Sequence, residues 1–256
     1  MTVPSVLKLS LRIRQTIIRA SQPSFIPDCI MRIILVRHGE PKVDQQRWIG
    51  HKGFMAFMDA YRDAGLTPES APPDHLAELT RGMTRVFTSE LPRSIDSARA
   101  LLPDAEFISD EVFTEAPLAP PRIPGLRLKV PGWAVVSRVA WHGGYSPRIE
   151  NFRQARRRAQ KALHILLDAA AEDGAAVLVG HGYFNAILGR MLRLKRFART
   201  GSHRAEFWNT VIYDRPTAAA SVTRAGRRSA GRPGQNDDAA PLHSLRVFLG
   251  FRRQSA

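Results

Sequence analysis

A single cysteine, Cys29, is the only thiol in this chain, which excludes an internal disulfide framework and any cysteine-rich metal site. A lone thiol fits a reducing compartment, and a cytoplasmic location is the expectation that follows. No run of about 18 apolar residues occurs, the length a membrane-spanning helix needs, so no membrane partner is expected. A continuous apolar core after a basic start is also missing, because Arg12, Arg14 and Arg19 interrupt the place where a secretory signal would sit. Acidic residues are few, 23 against 38 Lys and Arg, for a formal charge of +15. The excess is uneven: residues 1–30 contribute +3, residues 214–256 contribute +5 and residues 31–213 carry +7. A basic field draws anions of any kind, phosphate esters and nucleic acid alike. No aromatic-basic recognition pattern accompanies the tails, so nucleic acid is not an expected partner. No pattern sets an oligomeric state.

What is present divides into three parts. Residues 1–30 read as an appendage, with Leu7, Leu9, Leu11 and Ile13 alternating with polar residues. Met31 is a candidate for the true first residue, which N-terminal sequencing of the native protein would test. Residues 31–213 alternate strand and helix patterns. The expected elements are a buried strand at Met31–Val36, a helix at Phe54–Ala64, and a strand at Arg85–Thr88. Ser89 is an expected N-cap, and Pro92 fits the first turn of a helix reaching Leu102. A strand at Ala105–Ser109 follows. Residues 117–146 form a Pro- and Gly-rich insertion with a short helix at Ala134–Trp141. An amphipathic helix spans Asn151–Ala171 and is stopped by Gly174. Next come a strand at Ala176–Val179, a helix at Phe184–Leu194 and a last strand at Phe207–Tyr213. This alternation predicts one α/β domain with a mostly parallel sheet. Residues 214–256 read as a basic tail, with disorder expected over 216–243 and a small apolar patch at Leu245–Phe251.

Two segments share a design in which an apolar strand runs into a glycine-flanked histidine. They are Ile33-Ile34-Leu35-Val36-Arg37-His38-Gly39-Glu40 and Val177-Leu178-Val179-Gly180-His181-Gly182. Ligands of parallel α/β sheets gather beyond the carboxyl ends of the strands, so both imidazoles are expected at one edge. Strand Arg85–Thr88 delivers Ser89 to the same edge, with Arg93 one turn into the following helix. Helix N-termini and guanidinium forks both favour phosphate oxygens. Arg37, Arg93 and the two histidines therefore form a cluster suited to a phosphoryl dianion.

The segment Leu35–Glu40, with its Arg37-His38-Gly39 core, resembles the signature of the histidine phosphatase superfamily, also called phosphoglycerate mutase-like. Ser89-Glu90-Leu91-Pro92-Arg93-Ser94-Ile95-Asp96-Ser97-Ala98 is similar to that family's second arginine motif, and Gly180-His181-Gly182 to its second histidine motif. The resemblance implies a three-layer α/β/α sandwich and no metal or organic cofactor. By the same resemblance His38 is the nucleophile, while Arg37, Arg93 and His181 hold the phosphoryl group. It also places Glu115 as the acid that protonates the leaving oxygen, with Glu111 and Glu40 as substitutes. The implied activity is phosphomonoester hydrolysis through a phosphohistidine, on a phosphorylated small molecule or a phosphoprotein.

Some positions depart from the family pattern. Pro41 stands where a threonine is common, Gly180 where a serine is frequent, and Asp44 where an asparagine often meets phosphate. Asp44 would repel a dianion unless paired with Lys42 or Arg47, which keeps a silent phosphate-binding module open as the alternative. A phosphomutase is the further alternative, weakened because the stretch after Glu115 lacks the mutase pattern. His51, His75, His142, His164 and His203 are expected to be structural or exposed, and the Arg153–Lys161 cluster to be the wet face of its helix.

Overall fold

The computed structural model describes residues 30–217. The alternation at Leu7–Ile13, Cys29, the expected disorder beyond 217 and the apolar patch Leu245–Phe251 lie outside the described residues. The first strand, β1 (Ile30–Arg37), is apolar on consecutive residues because helices cover both of its faces. Ile33 and Leu35 enter one core, and Ile34 and Val36 enter the other.

Around β1 the chain lays down β2 (Trp48–Ile49), α1 (His51–Asp63), α2 (Asp74–Thr80), β3 (Arg85–Thr88), α3 (Pro92–Leu101) and β4 (Glu106–Ser109). A 3-10 turn at Glu111–Phe113 leads into the excursion that carries β5 (Leu128–Lys129) and α4 (Val130–His142). The chain then returns through α5 (Phe152–Asp173), β6 (Ala175–Gly180), α6 (Gly182–Leu194), β7 (Ala198–Thr200) and β8 (Thr210–Pro216). The main sheet has the order β4-β3-β6-β1-β8-β7. Its first four strands are mutually parallel, while β8 runs antiparallel to β1 and β7 runs antiparallel to β8.

Helices α5 and α6 pack on one face through Leu163, Leu166, Phe184 and Leu188. Helices α2 and α3 pack on the other through Leu76, Ala98 and Leu101. The result is a three-layer α/β/α sandwich with a mostly parallel sheet. A third, smaller core joins α1 to α4, where the buried Trp133 stacks on Phe54 at 5.9 Å between ring centres.

Local signals set several boundaries. Asn151 and Gln154 exchange side-chain and backbone hydrogen bonds as a capping box at the start of α5. Gly174 ends that helix at φ +80°, a left-handed cap that glycine adopts without strain.

Other expectations need correction. Ser89 does not cap α3. Leu91 holds the N-cap position with Pro92 in the first turn, and the Ser89 hydroxyl is turned to a histidine instead. The final strand starts at Thr210 rather than Phe207, because Trp208 sits at φ +58° in a turn. It also runs past Tyr213 to Pro216, where Asp214 makes a two-pronged pair with Arg32 at 2.8 and 2.9 Å. The basic tail therefore does not begin at 214. Residues 117–146 hold a longer helix than expected, with Pro131 in its first turn. Helix α2 and the short strands β2, β5 and β7 had no sequence signal strong enough to mark them.

Candidate active site

Three adjacent strands end at one edge of the sheet and deliver the site. The β1–β6 register pairs Arg37 with Gly180, and the His38 amide continues it by donating to the Gly180 carbonyl at 2.9 Å. His38 and His181 therefore leave neighbouring strands side by side. Their ring centres lie 5.3 Å apart and both side chains are buried. From β3, the next strand over, Ser89 reaches His181 Nε2 with its hydroxyl at 2.7 Å.

The serines of α3 brace this edge. Ser94 donates to the Val179 carbonyl at 2.5 Å, and Ser97 accepts from the Gly39 amide at 2.9 Å. Asn185 of α6 donates to the Val36 carbonyl at 3.0 Å. Gly39 must be glycine for reasons of space, since a Cβ there would lie 2.8 Å from the Trp208 ring and 2.5 Å from the Ser70 hydroxyl.

His38 Nδ1 lies 2.7 Å from the Gly39 carbonyl. A carbonyl only accepts, so Nδ1 carries the proton and Nε2 keeps its lone pair. Tyr61 presents its phenol to that Nε2 at 3.3 Å. Burial first, then the charges of Arg37 and Arg93, push the His38 imidazole well below its ordinary 6.5. His181 is likewise pushed well down, by burial first and then by Arg93, His38 and Arg37, with a smaller push from Arg158. Both rings are therefore neutral at physiological pH.

Each arginine of the cluster lies beside an aromatic ring. Arg93 is almost fully buried, donates to the Tyr61 carbonyl at 2.6 Å and sits 4.2 Å over the Tyr61 ring. Arg37 donates to the Ala205 carbonyl and sits 4.8 Å over Phe207. The Nε atoms of both arginines and Nδ1 of His181 are buried without a hydrogen-bond partner. Buried polar atoms left this way are uncommon and ask for a reason.

Glu115 occupies the start of α6. One carboxylate oxygen accepts from Phe184 N and Ala116 N, each at 2.9 Å, and the other from Tyr183 N at 3.1 Å. Its carboxylate is among the groups that act to raise Arg93, against the larger lowering by burial. The substitutes are elsewhere. Glu40 and Glu111 are exposed, the latter opening the 3-10 turn. Asp44 is exposed, accepts from the Gln46 amide at 2.9 Å and pairs with neither Lys42 nor Arg47. It is not among the charges that act on either histidine. Among the described residues, no three His, Cys, Asp or Glu side chains are grouped to hold a metal ion. Among the same residues, no helix is long and apolar enough to cross a membrane.

Residues of this region that were not singled out from the sequence include Tyr61, Phe207, Ser94, Ser97, Asn185, Arg138 and Arg158. Tyr61 had a usable signal, since it follows Phe54 and Phe57 on one face of a helix and adds a polar tip.

The buried imidazoles have a consequence for stability. An unfolded histidine takes up a proton near pH 6.5, whereas these two in the folded state do so only far lower. His203, packed against Tyr213, is lowered to about 4 by burial and by Arg199. Below pH 6.5 the unfolded chain thus binds more protons, and stability falls as pH falls. Each such group contributes up to about 1.4 kcal/mol per pH unit over its window. Urea melts at pH 7.5 and 5.5 should show the loss, and His203→Gln should flatten the slope between pH 6.5 and about 4. An unchanged slope in that variant would remove His203 from this account.

The profile of the histidine phosphatase superfamily (branch 1) matches residues 33–215, and the chain belongs to that superfamily. No curated protein sequence matches it. Solved structures that this chain is similar to include the Rv3214 open-reading-frame product of Mycobacterium tuberculosis, at 18% identity and TM-score 0.45, over 73% of this chain and 95% of that one. A mycobacterial glucosyl-3-phosphoglycerate phosphatase matches at 19% identity and TM-score 0.41, over 64% and 79% of the two chains. A protein of Escherichia coli described as a putative alpha-ribazole-5'-P phosphatase gives 18% and 0.41, over 63% and 79%.

Proposed function

We propose that this chain hydrolyses phosphate monoesters through a phosphohistidine formed at Nε2 of His38, acting on a phosphorylated small molecule or a phosphoprotein. The observation that carries this reading is the pairing of the two imidazoles, 5.3 Å apart. Within that pair His38 is fixed by its Nδ1 proton so that a lone pair stands at Nε2.

In the first half of the reaction, Nε2 attacks phosphorus as the bond to the ester oxygen breaks. The leaving oxygen takes a proton from Glu115. In the second half Glu115 removes a proton from water, the water oxygen bonds to phosphorus, and the P–N bond breaks. Inorganic phosphate leaves and His38 is neutral again. Phosphoryl transfer needs little from a protein beyond alignment and positive charge around the equatorial oxygens. Arg37 and Arg93 supply that charge, each with an unpartnered Nε, and His181 adds a donor at Nδ1 once Ser89 donates to its Nε2. The amide-held carboxylate of Glu115 suits the base step directly. Neutral imidazoles stay neutral below pH 6.5 here, so the acid limb of activity should not follow an ordinary histidine.

A screen of phosphorylated metabolites and a generic aryl phosphate, with His38→Ala as control, tests the reading. Turnover that the substitution removes supports it, and absence of any turnover opposes it. Activity should also survive EDTA, since no residue grouping for a metal is present among the described residues. Strict dependence on a divalent ion would contradict that expectation.

A further inference from the structure

Two arginines frame Glu115. Arg158, from α5, donates through Nη1 to the carbonyls of Val112 and Thr114, at 3.0 and 2.5 Å. Arg138, from α4, donates to the carbonyls of Ala116 and Pro117, at 3.0 and 3.4 Å. The backbone on both sides of Glu115 is therefore held by side chains from two different helices.

The same guanidinium groups also hold the other side of the carboxylate. Arg138 lies 3.9 Å over the ring of Tyr183, and Arg158 lies 4.5 Å over the ring of Phe184. Tyr183 and Phe184 are the two residues of α6 whose amides grip the Glu115 carboxylate. Arg158 is locked in turn by a two-pronged pair with Glu150, at 2.9 and 2.7 Å. Arg138 also lies 4.8 Å over Trp141. A desolvated guanidinium spent on carbonyl oxygens is a costly way to fix a loop, because well-packed apolar side chains fill buried space at least as favourably. What the arginine forks add is directional, two-point control of one short segment.

We propose that Arg138 and Arg158 are positioning residues for the Glu115 carboxyl, holding it where it exchanges a proton with the ester oxygen. This rests on reading Glu115 as the acid. The frame joins the main sandwich, through α5, to the excursion, through α4, so it gives residues 117–146 a task in the chemistry.

The test uses the leaving group. Help from an acid matters little when the departing oxygen is already a stable anion, and matters more as that anion becomes more basic. kcat/KM is measured on the full chain with p-nitrophenyl phosphate and with phenyl phosphate, whose leaving group is poorer. Glu115→Gln should lose at least about tenfold more rate on phenyl phosphate than on the nitrophenyl ester. Arg138→Met and Arg158→Met should show the same bias, at a few-fold to about tenfold. Arg138→Lys and Arg158→Lys keep the charge, including the influence of Arg158 on His181, but lose the planar fork, which in Arg138 spans two carbonyls and in Arg158 joins two carbonyls to the Glu150 carboxylate. They should show the bias more weakly, and they carry the test if the methionine variants do not fold.

Equal slowing of both esters by the arginine variants, beside a biased Glu115→Gln, would overturn the positioning role alone. An unbiased Glu115→Gln would instead remove Glu115 as the acid, and the inference with it.

Discussion

Replacing His38 with alanine is expected to lower kcat/KM for an aryl phosphate by at least about 10⁴-fold, because no other group takes over a nucleophile's bond to phosphorus. The fold should survive. Among the described residues, the His38 side chain hydrogen-bonds to the adjacent Gly39 carbonyl and the Tyr61 phenol, and the core of β1 is built from Ile33–Val36. Removing a neutral, desolvated ring should cost about 1 kcal/mol or less, a shift of a few degrees in a thermal melt. His181→Ala should be milder, about 10²–10³-fold, since it removes charge stabilisation and not the attacking atom. Substantial turnover in the His38 variant, measured on protein that still melts cooperatively, would refute the assigned nucleophile.

Arg93→Met carries the second large expected effect, a fall of about 10²–10³-fold in kcat/KM. It deletes a buried charge from the place where phosphoryl oxygens would gather, and a methionine stem fills much of the same volume. The variant makes a further prediction through the histidines. Arg93 is one of the charges holding both His38 and His181 below 6.5. Without it both imidazoles protonate more readily, and the acid limb of the pH–rate profile should move to higher pH. Arg93→Lys restores a charge but not the fork, so it should recover the pH profile more fully than the rate. A rate loss with no movement of the acid limb would mean that Arg93 acts only through its bond to the Tyr61 carbonyl and the placement of α1.

The sequence made the sheet edge legible because its signal is local. An apolar strand, a histidine and a glycine lie within eight residues at Ile33–Glu40, and the pattern recurs at Val177–Gly182. Strand periodicity and the carboxyl-edge rule then bring His38, His181, Ser89 and Arg93 together without long-range information. Glu115 was placed by resemblance alone, because nothing within its neighbouring residues marks it. Its surroundings come from α4, α5 and the first turn of α6, all remote in the chain. Arg158 shows the same limit. It lies within a basic run that reads as a wet helix face, yet its guanidinium turns inward to Glu150, Val112 and Thr114. Ser89 misled for a related reason. A serine before a proline-initiated helix has the composition of a cap, but a buried histidine nitrogen from another strand claimed the hydroxyl. Strands β2 and β5, two residues each, are too short for any periodicity to show, and they pair only because the α1–α4 core brings them together.

The most direct measurement of the central claim is capture of the covalent intermediate. The enzyme is mixed with a ³²P-labelled phosphate ester, quenched in alkali and digested, and the labelled peptide is identified. Acid-labile, alkali-stable phosphate on the peptide carrying His38, absent from His38→Ala and retained in His181→Ala, is the predicted result. Turnover with a label that sits on another residue, or that persists in His38→Ala, would contradict the account.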